Sequence, residues 1–263
     1  MHKSVARSQI VVVTGLLGVA FTALPFAAFS ADARGQLPWG ATRQVVLVIT
    51  PGWTESAGVM QRFERGSGEA PWRAVTSRVP VVVGKTGVAW GRGLHPPVSD
   101  DGPAKREGDR KAPAGVFRLS SAFGYAKSIA GARLPYVAAT STLECVDDPR
   151  SRHYNRIVDR AQIAAVDWKS SEPMQRRDEL YRLGIVVDHN DPTPEPGRGS
   201  CIFLHVWRAP AAATVGCTAM SREAVEQLTT WLDPAAEPVL VQLPRPAYER
   251  LKDAWGLPVM SFE

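Results

Sequence analysis

Short β-branched runs punctuated by Gly, Pro and Asp set the rhythm of the chain. Val45-Val46-Leu47-Val48-Ile49 is apolar at every position, which predicts a strand buried on both faces. Val79-Pro80-Val81-Val82-Val83, Gly115-Val116-Phe117-Arg118-Leu119 and Ile185-Val186-Val187-Asp188 read as further strands, as do Ile202-Phe203-Leu204-His205-Val206 and Val239-Leu240-Val241. Loops, not regularly alternating helices, separate them. The pattern therefore predicts a mainly β sandwich or barrel with a few helices, and not a doubly wound α/β sheet. Three helices are expected. Met174 to Leu183 is short and charged. Ser221 to Leu232 has Ser221 as its N-cap, with Ala224, Val225, Leu228, Trp231 and Leu232 on one face. Tyr248, Leu251 and Trp255 form a third stripe, ended by Gly256 and Pro258.

Two long loops, 89–114 and 189–200, interrupt this pattern, and compact domains seldom keep such loops without a use for them. The first carries Lys105-Arg106-Glu107-Gly108-Asp109-Arg110-Lys111, expected as a solvated charged turn. At the N-terminus the pattern changes. Lys3 and Arg7 precede an apolar stretch from Ile10 to Phe29, followed by small residues at Ser30, Ala31 and Ala33. This basic, apolar, small order favours a cleaved secretory signal over residues 1–31, an uncleaved anchor being the alternative. A linker over 32–43 and a catalytic domain over 44–263 complete the expected organisation, with export to the periplasm or cell envelope.

Composition adds limits. The 263 residues are 44% apolar and 22% charged, too apolar for a disordered chain. The net charge is +5, and the signal removes two basic and no acidic side chains, leaving +3. That is too little for a nucleic-acid partner. Gly84-Lys85-Thr86 resembles the end of a phosphate loop, but Val79 stands where its first Gly belongs. Three cysteines cannot build a disulfide framework, and one must lack an intramolecular partner.

The chemistry concentrates in Ser200-Cys201-Ile202-Phe203-Leu204-His205 and Thr214-Val215-Gly216-Cys217. His205 ends an apolar strand, and Cys217 sits in a small-residue turn before the helix at Ser221. An imidazole at a strand end can serve as the base for a cysteine nucleophile. Backbone N–H groups at Gly216 and Cys217 are candidate oxyanion donors. On spacing alone, a hydrogen-bonded core histidine and an inert buried cysteine remain the alternative.

The order Lys105-Arg106-Glu107-Gly108-Asp109, Pro113-Ala114-Gly115-Val116-Phe117 and Phe123-Gly124-Tyr125 resembles the L,D-transpeptidase (YkuD-type) catalytic domain. So do Cys145-Val146-Asp147-Asp148, Tyr154-Asn155, Gly199 to His205 and Thr214 to Cys217, most like the branch of stand-alone, exported catalytic domains. The resemblance implies a sandwich-like β domain acting on peptidoglycan stem peptides, with Cys217 as acyl acceptor, His205 as its base, and no metal or organic cofactor. It implies attack on the L-centre carbonyl of diaminopimelate, with release of a terminal D-amino acid. A second stem's amine then forms a cross-link, whereas water would give carboxypeptidase activity.

The chain departs from the better-known pattern at Val215, where many members have a second histidine. Ala219 replaces the usual Asn or Arg, and the His-to-Cys spacing is short. Thr214, Arg208 and Arg222 are candidate substrate contacts, although exposed arginines are ordinarily solvated. His189 or Asn190 is expected to line the cleft or to orient His205 as a third partner, the alternative being a self-bonded turn. His95 and His153 are expected at the surface. Asp188, His189, His153 and His205 are zinc-ligand types, but lack the tight spacing of a zinc peptidase. A non-catalytic cell-wall binding module is the rival from another class. In an oxidising compartment Cys145 and Cys201 can pair and leave Cys217 free, the alternative being a buried, unpaired Cys145.

Overall fold

In the computed structural model, which describes residues 37–98 and 102–262, the chain is mainly β. The signal expected over 1–31 lies outside the described residues. The strands are β1 (Gln44–Thr50), β2 (Ala57–Glu64), β3 (Arg73–Ala74), β4 (Val79–Val82), β5 (Val88–Trp90), β6 (Ala112–Gly124) and β7 (Tyr136–Ala138). They continue as β8 (Leu143–Val146), β9 (Arg156–Asp159), β10 (Ser171–Pro173), β11 (Leu183–Val187), β12 (Phe203–Val206), β13 (Thr218–Met220) and β14 (Val239–Pro244). Two α-helices are described, α1 (Arg222–Trp231) and α2 (Arg245–Leu251).

The main sheet runs β1-β14-β6-β11-β12-β13-β4-β2-β3, and β1 also pairs with β2. That pairing closes the sheet into a ring, so the walls of the expected sandwich are continuous. β1 is the seam: it pairs parallel with β14 and antiparallel with β2, and all its residues are buried. A strand covered on both faces must be apolar throughout, which is what Val45 to Ile49 provides. The segment expected as a linker contributes Trp39 to this core, and its indole N–H donates to the Trp255 carbonyl.

Helix α1 begins where expected. Ser221 accepts from the Ala224 N–H, and Val225 and Leu228 are buried. α1 packs against β11 and β12, while α2 packs against β14 and β1. The helix expected over Met174 to Leu183 does not form. Pro173 precedes this stretch, and Asp178 accepts the Leu180 N–H while holding Arg176 through two 2.9 Å bonds. Tyr125 ties the turn down by donating to the Asp178 carbonyl and accepting from the Arg176 N–H. Such side-chain bonds to backbone compete directly with helical ones. The stretch is instead a turn leading from β10 into β11.

A smaller sheet, β10-β8-β9, stands beside the ring. Its register sets Glu172 of β10 opposite Cys145 of β8. Cys145 is joined to Cys201, just before β12, with 5.9 Å between their Cα atoms. The disulfide thus ties the small sheet to the ring.

Leu240 lies in β14 with no exposed surface. Truncation there leaves a cavity in addition to losing transfer free energy. Leu240→Ala is expected to lower stability by about 2–5 kcal/mol. Urea unfolding checks this as a lower midpoint at unchanged slope.

Candidate active site

β12 and β13 run parallel, pairing Leu204 with Thr218 and His205 with Ala219. Side chains alternate along strands, so Cys217, two residues before Ala219, faces the same side as His205. The two are diagonal neighbours, a separation of roughly 7–8 Å between backbones in ordinary sheets. Both line one cavity of about 460 Å³, together with Glu172, Arg176, Tyr181, Trp207 and Thr214.

The His205 ring is oriented by its own backbone neighbourhood. Its Nδ1 lies 2.8 Å from the Val206 carbonyl, which only accepts, so Nδ1 carries the proton and Nε2 is the basic nitrogen. The Tyr181 ring packs edge-on against it at 5.3 Å. Burial lowers the His205 pKa to about 4.

The Cys217 thiol is buried. The Phe203 N–H donates to Sγ at 3.4 Å, and the thiol donates to the Cys201 carbonyl at 3.6 Å. Burial pushes the thiol up to about 12, and the Glu172 carboxylate adds to the shift. At neutral pH the pair is therefore thiol and neutral imidazole, not an ion pair.

The turn before Cys217 is held by Thr214, whose hydroxyl donates to the Cys217 carbonyl at 2.6 Å. It also accepts the Gly216 N–H at 3.1 Å, so that expected oxyanion donor is already engaged. Gly216 has φ of +154°, which disfavours any side chain there although a Cβ would meet nothing closer than 3.4 Å. Thr214 therefore shapes the turn as well as lining the cavity.

Other expected site residues fall elsewhere. His189 Nε2 bonds the Arg198 carbonyl and its Nδ1 accepts the Arg92 N–H, while the ring packs on Phe117. Asn190 accepts from Arg92 and Glu195 and donates to the Glu195 and Gly199 carbonyls. Neither lines the His205 cavity, and the Val206 carbonyl takes the orienting role expected of them. Arg222 pairs with Glu226 at 2.7 Å, away from this cavity. Arg208 is exposed at the cavity lining. His95 is buried, contrary to its expected surface position, because it accepts the Val116 N–H within a box of Trp90, Phe117 and Trp255. His153 is half-buried, packed on Trp168. Among the described residues, no group of three or more His, Cys, Asp or Glu side chains could hold a metal ion.

The long loops and the turn before β9 build the wall behind Cys201. Asn155 accepts the Cys201 N–H at 2.9 Å and donates to the His189 and Asn190 carbonyls. Glu107 accepts from both Tyr154 and Ser200. The expected solvated turn is partly inside: Lys105 is buried and pairs with Asp109 at 2.6 Å. Glu172, Arg176, Tyr181 and Trp207 were not singled out by sequence reasoning. Only a correct strand-and-turn reading of 171–187 would have brought Glu172 and Tyr181 beside His205.

A family model for the YkuD L,D-transpeptidase catalytic domain matches residues 60–241. The chain belongs to this family. Comparison with curated proteins and with solved structures found no match. The matched region of this L,D-transpeptidase domain contains both sheets' contributions to the cavity, from Glu172 through Cys217.

Two outcomes are expected of the transpeptidase domain. Because its thiol pKa is raised, alkylation of Cys217 should accelerate with pH from about 6 to 10 without levelling off near neutrality. A plateau near pH 7, measured by iodoacetamide kinetics, would instead reveal a thiolate–imidazolium pair. The 56-residue separation of Cys145 and Cys201 predicts that reduction removes about 4 kcal/mol of stability in the chain-entropy view. Thiol titration of denatured, unreduced protein should find a single free sulfhydryl.

Proposed function

We propose that the chain is a peptidoglycan L,D-transpeptidase using Cys217 as nucleophile and His205 as base. The reading rests above all on one observation: parallel pairing of β12 and β13 sets the imidazole and the thiol on one face of a shared cavity. Membership of the L,D-transpeptidase family supports the substrate class.

Since both groups are neutral at rest, deprotonation accompanies attack. Sγ bonds the carbonyl carbon at the L-centre of diaminopimelate as its proton passes to His205 Nε2. The oxyanion forms beside the Cys217 N–H, Gly216 being committed to Thr214. His205 then protonates the departing D-amino acid, and the amide C–N bond breaks to leave a thioester. A second stem's amine completes the transfer. Water in its place gives L,D-carboxypeptidase activity from the same two residues.

Export to the periplasm or cell envelope is part of the proposal. The basic, apolar and small segments at the N-terminus support it, as does a Cys145–Cys201 bond suited to an oxidising compartment.

The test is incubation with muropeptides bearing tetrapeptide stems, with products resolved by mass spectrometry. Iodoacetamide treatment or Cys217→Ala is expected to lower turnover at least about a thousandfold, while EDTA leaves it intact. Inhibition by EDTA alone would overturn the cysteine mechanism. Binding to sacculi without turnover would favour a recognition module.

A further inference from the structure

The catalytic cavity holds a second chemical group that the cysteine–histidine pair does not use. Glu172 projects from β10 on the face of the small sheet shared with Cys145, its cross-strand partner. The disulfide carries that face to Cys201, whose carbonyl receives the Cys217 thiol. Glu172 and Cys217 accordingly line the same cavity. Tyr181 stands between them. Its hydroxyl donates to Glu172 Oε2 at 2.5 Å, while its ring packs on His205.

The charges around Glu172 are unbalanced. Asp147 and Glu107 both act on it with like charge, and Arg176 is the cation opposing them. Arg176 is already committed to Asp178 through two bonds of 2.9 Å. Asp147 Oδ1 is buried without a hydrogen-bond partner among the described residues. Burial raises the Glu172 pKa, with Asp147 and Glu107 adding to it and the Tyr181 hydrogen bond and Arg176 opposing it. A half-buried carboxylate in such surroundings favours a proton or an organic cation.

We propose that Glu172, held by Tyr181, is a catalytic residue that binds the ammonium group of the acyl acceptor and takes its first proton. The proposal rests on the transpeptidase reading above and deepens it by assigning how an amine is chosen over water. An ammonium group has no lone pair with which to attack. Transfer of one proton from R–NH3+ to the Glu172 carboxylate yields R–NH2 and the carboxylic acid. The amine nitrogen bonds the thioester carbon, and the carbon–sulfur bond breaks. The surplus amine proton passes through His205 Nε2 to Cys217 Sγ, restoring the thiol. The Glu172 proton is then released to water.

The experiment uses the full chain, acylated by a tetrapeptide-stem muropeptide and offered either a second stem or hydroxylamine. Hydroxylamine is largely unprotonated at neutral pH and needs no proton acceptor before attack. In Glu172→Gln the ratio of stem cross-linking to hydroxylamine capture should fall about a hundredfold relative to wild type. Tyr181→Phe keeps the ring and removes the hydroxyl, and should shift the ratio in the same direction. This second variant carries the test if Glu172→Gln does not fold. An unchanged ratio in a folded variant overturns the proposal. So does a loss of acylation alone, which would assign Glu172 to the donor stem. Intact mass separates the two readings: absence of any acyl adduct on wild-type Cys217 means that the transpeptidase function itself has failed, and this inference with it.

Discussion

The parallel ladder between β12 and β13 is the interaction on which the site depends. Parallel neighbours cannot be joined by a tight hairpin, and their connection ordinarily needs about a dozen residues. The stretch from Trp207 to Cys217 is near that minimum, so it has little freedom and forms one wall of the cavity. Its end is fixed by Thr214, which bonds the Cys217 carbonyl and the Gly216 N–H while its own N–H joins the Val83 carbonyl. The short His-to-Cys spacing, unusual by sequence, is the length needed to return beside the preceding strand. A one-residue slip of this ladder would turn His205 and Cys217 to opposite faces.

Around this ladder the molecule divides its labour. The closed ring supplies rigidity through β1, β14 and β6, whose buried aliphatic residues do not enter the reaction cavity. The small sheet supplies polar chemistry, and the disulfide holds it against the ring. The long loops neither cover the cavity nor float in solvent. Glu107 of the first loop accepts the Ser200 hydroxyl, and Asn155, between β8 and β9, accepts the N–H of Cys201, which has φ of +55°. A non-glycine residue in that conformation is costly and persists where surrounding bonds over-determine it.

Legibility in the sequence followed the strength of local signals. The β-branched runs marked six strand positions, most plainly β1 and β14, which are buried throughout and carry no competing pattern. Ser221 marked α1 because a cap acts locally. Cys217 and His205 were visible through their motif context, and the ladder explains why that context has the spacing it does. Glu172 was hidden for a different reason. It lies in a three-residue strand without apolar periodicity, followed by a charged stretch that mimics a helix. Asp178 overrides that helix through local bonds to Arg176 and the Leu180 N–H, and Tyr125 through bonds from a segment more than fifty residues away. His189 and Asn190 left two readings open in the sequence, and here their bonds go to the 189–200 loop and to Arg92.

The protonation state of Cys217 has a consequence beyond the proposed chemistry. The thiol belongs to the same buried cluster as Cys145 and Cys201 and donates to the Cys201 carbonyl. A thiolate is the species that attacks a disulfide, so a permanently ionised Cys217 would threaten the bond that positions Glu172. Burial near a carboxylate keeps the sulfur protonated, its pKa at about 12. Neutral His205, with its pKa near 4, is the form that can accept a proton, as the proposed mechanism requires. In the proposed mechanism nucleophilicity is thereby tied to substrate: the proton leaves as the carbon–sulfur bond forms. The same desolvation that keeps the cysteine protonated protects the disulfide that shares its buried cluster, and the proposed chemistry and structural integrity are served by one electrostatic arrangement.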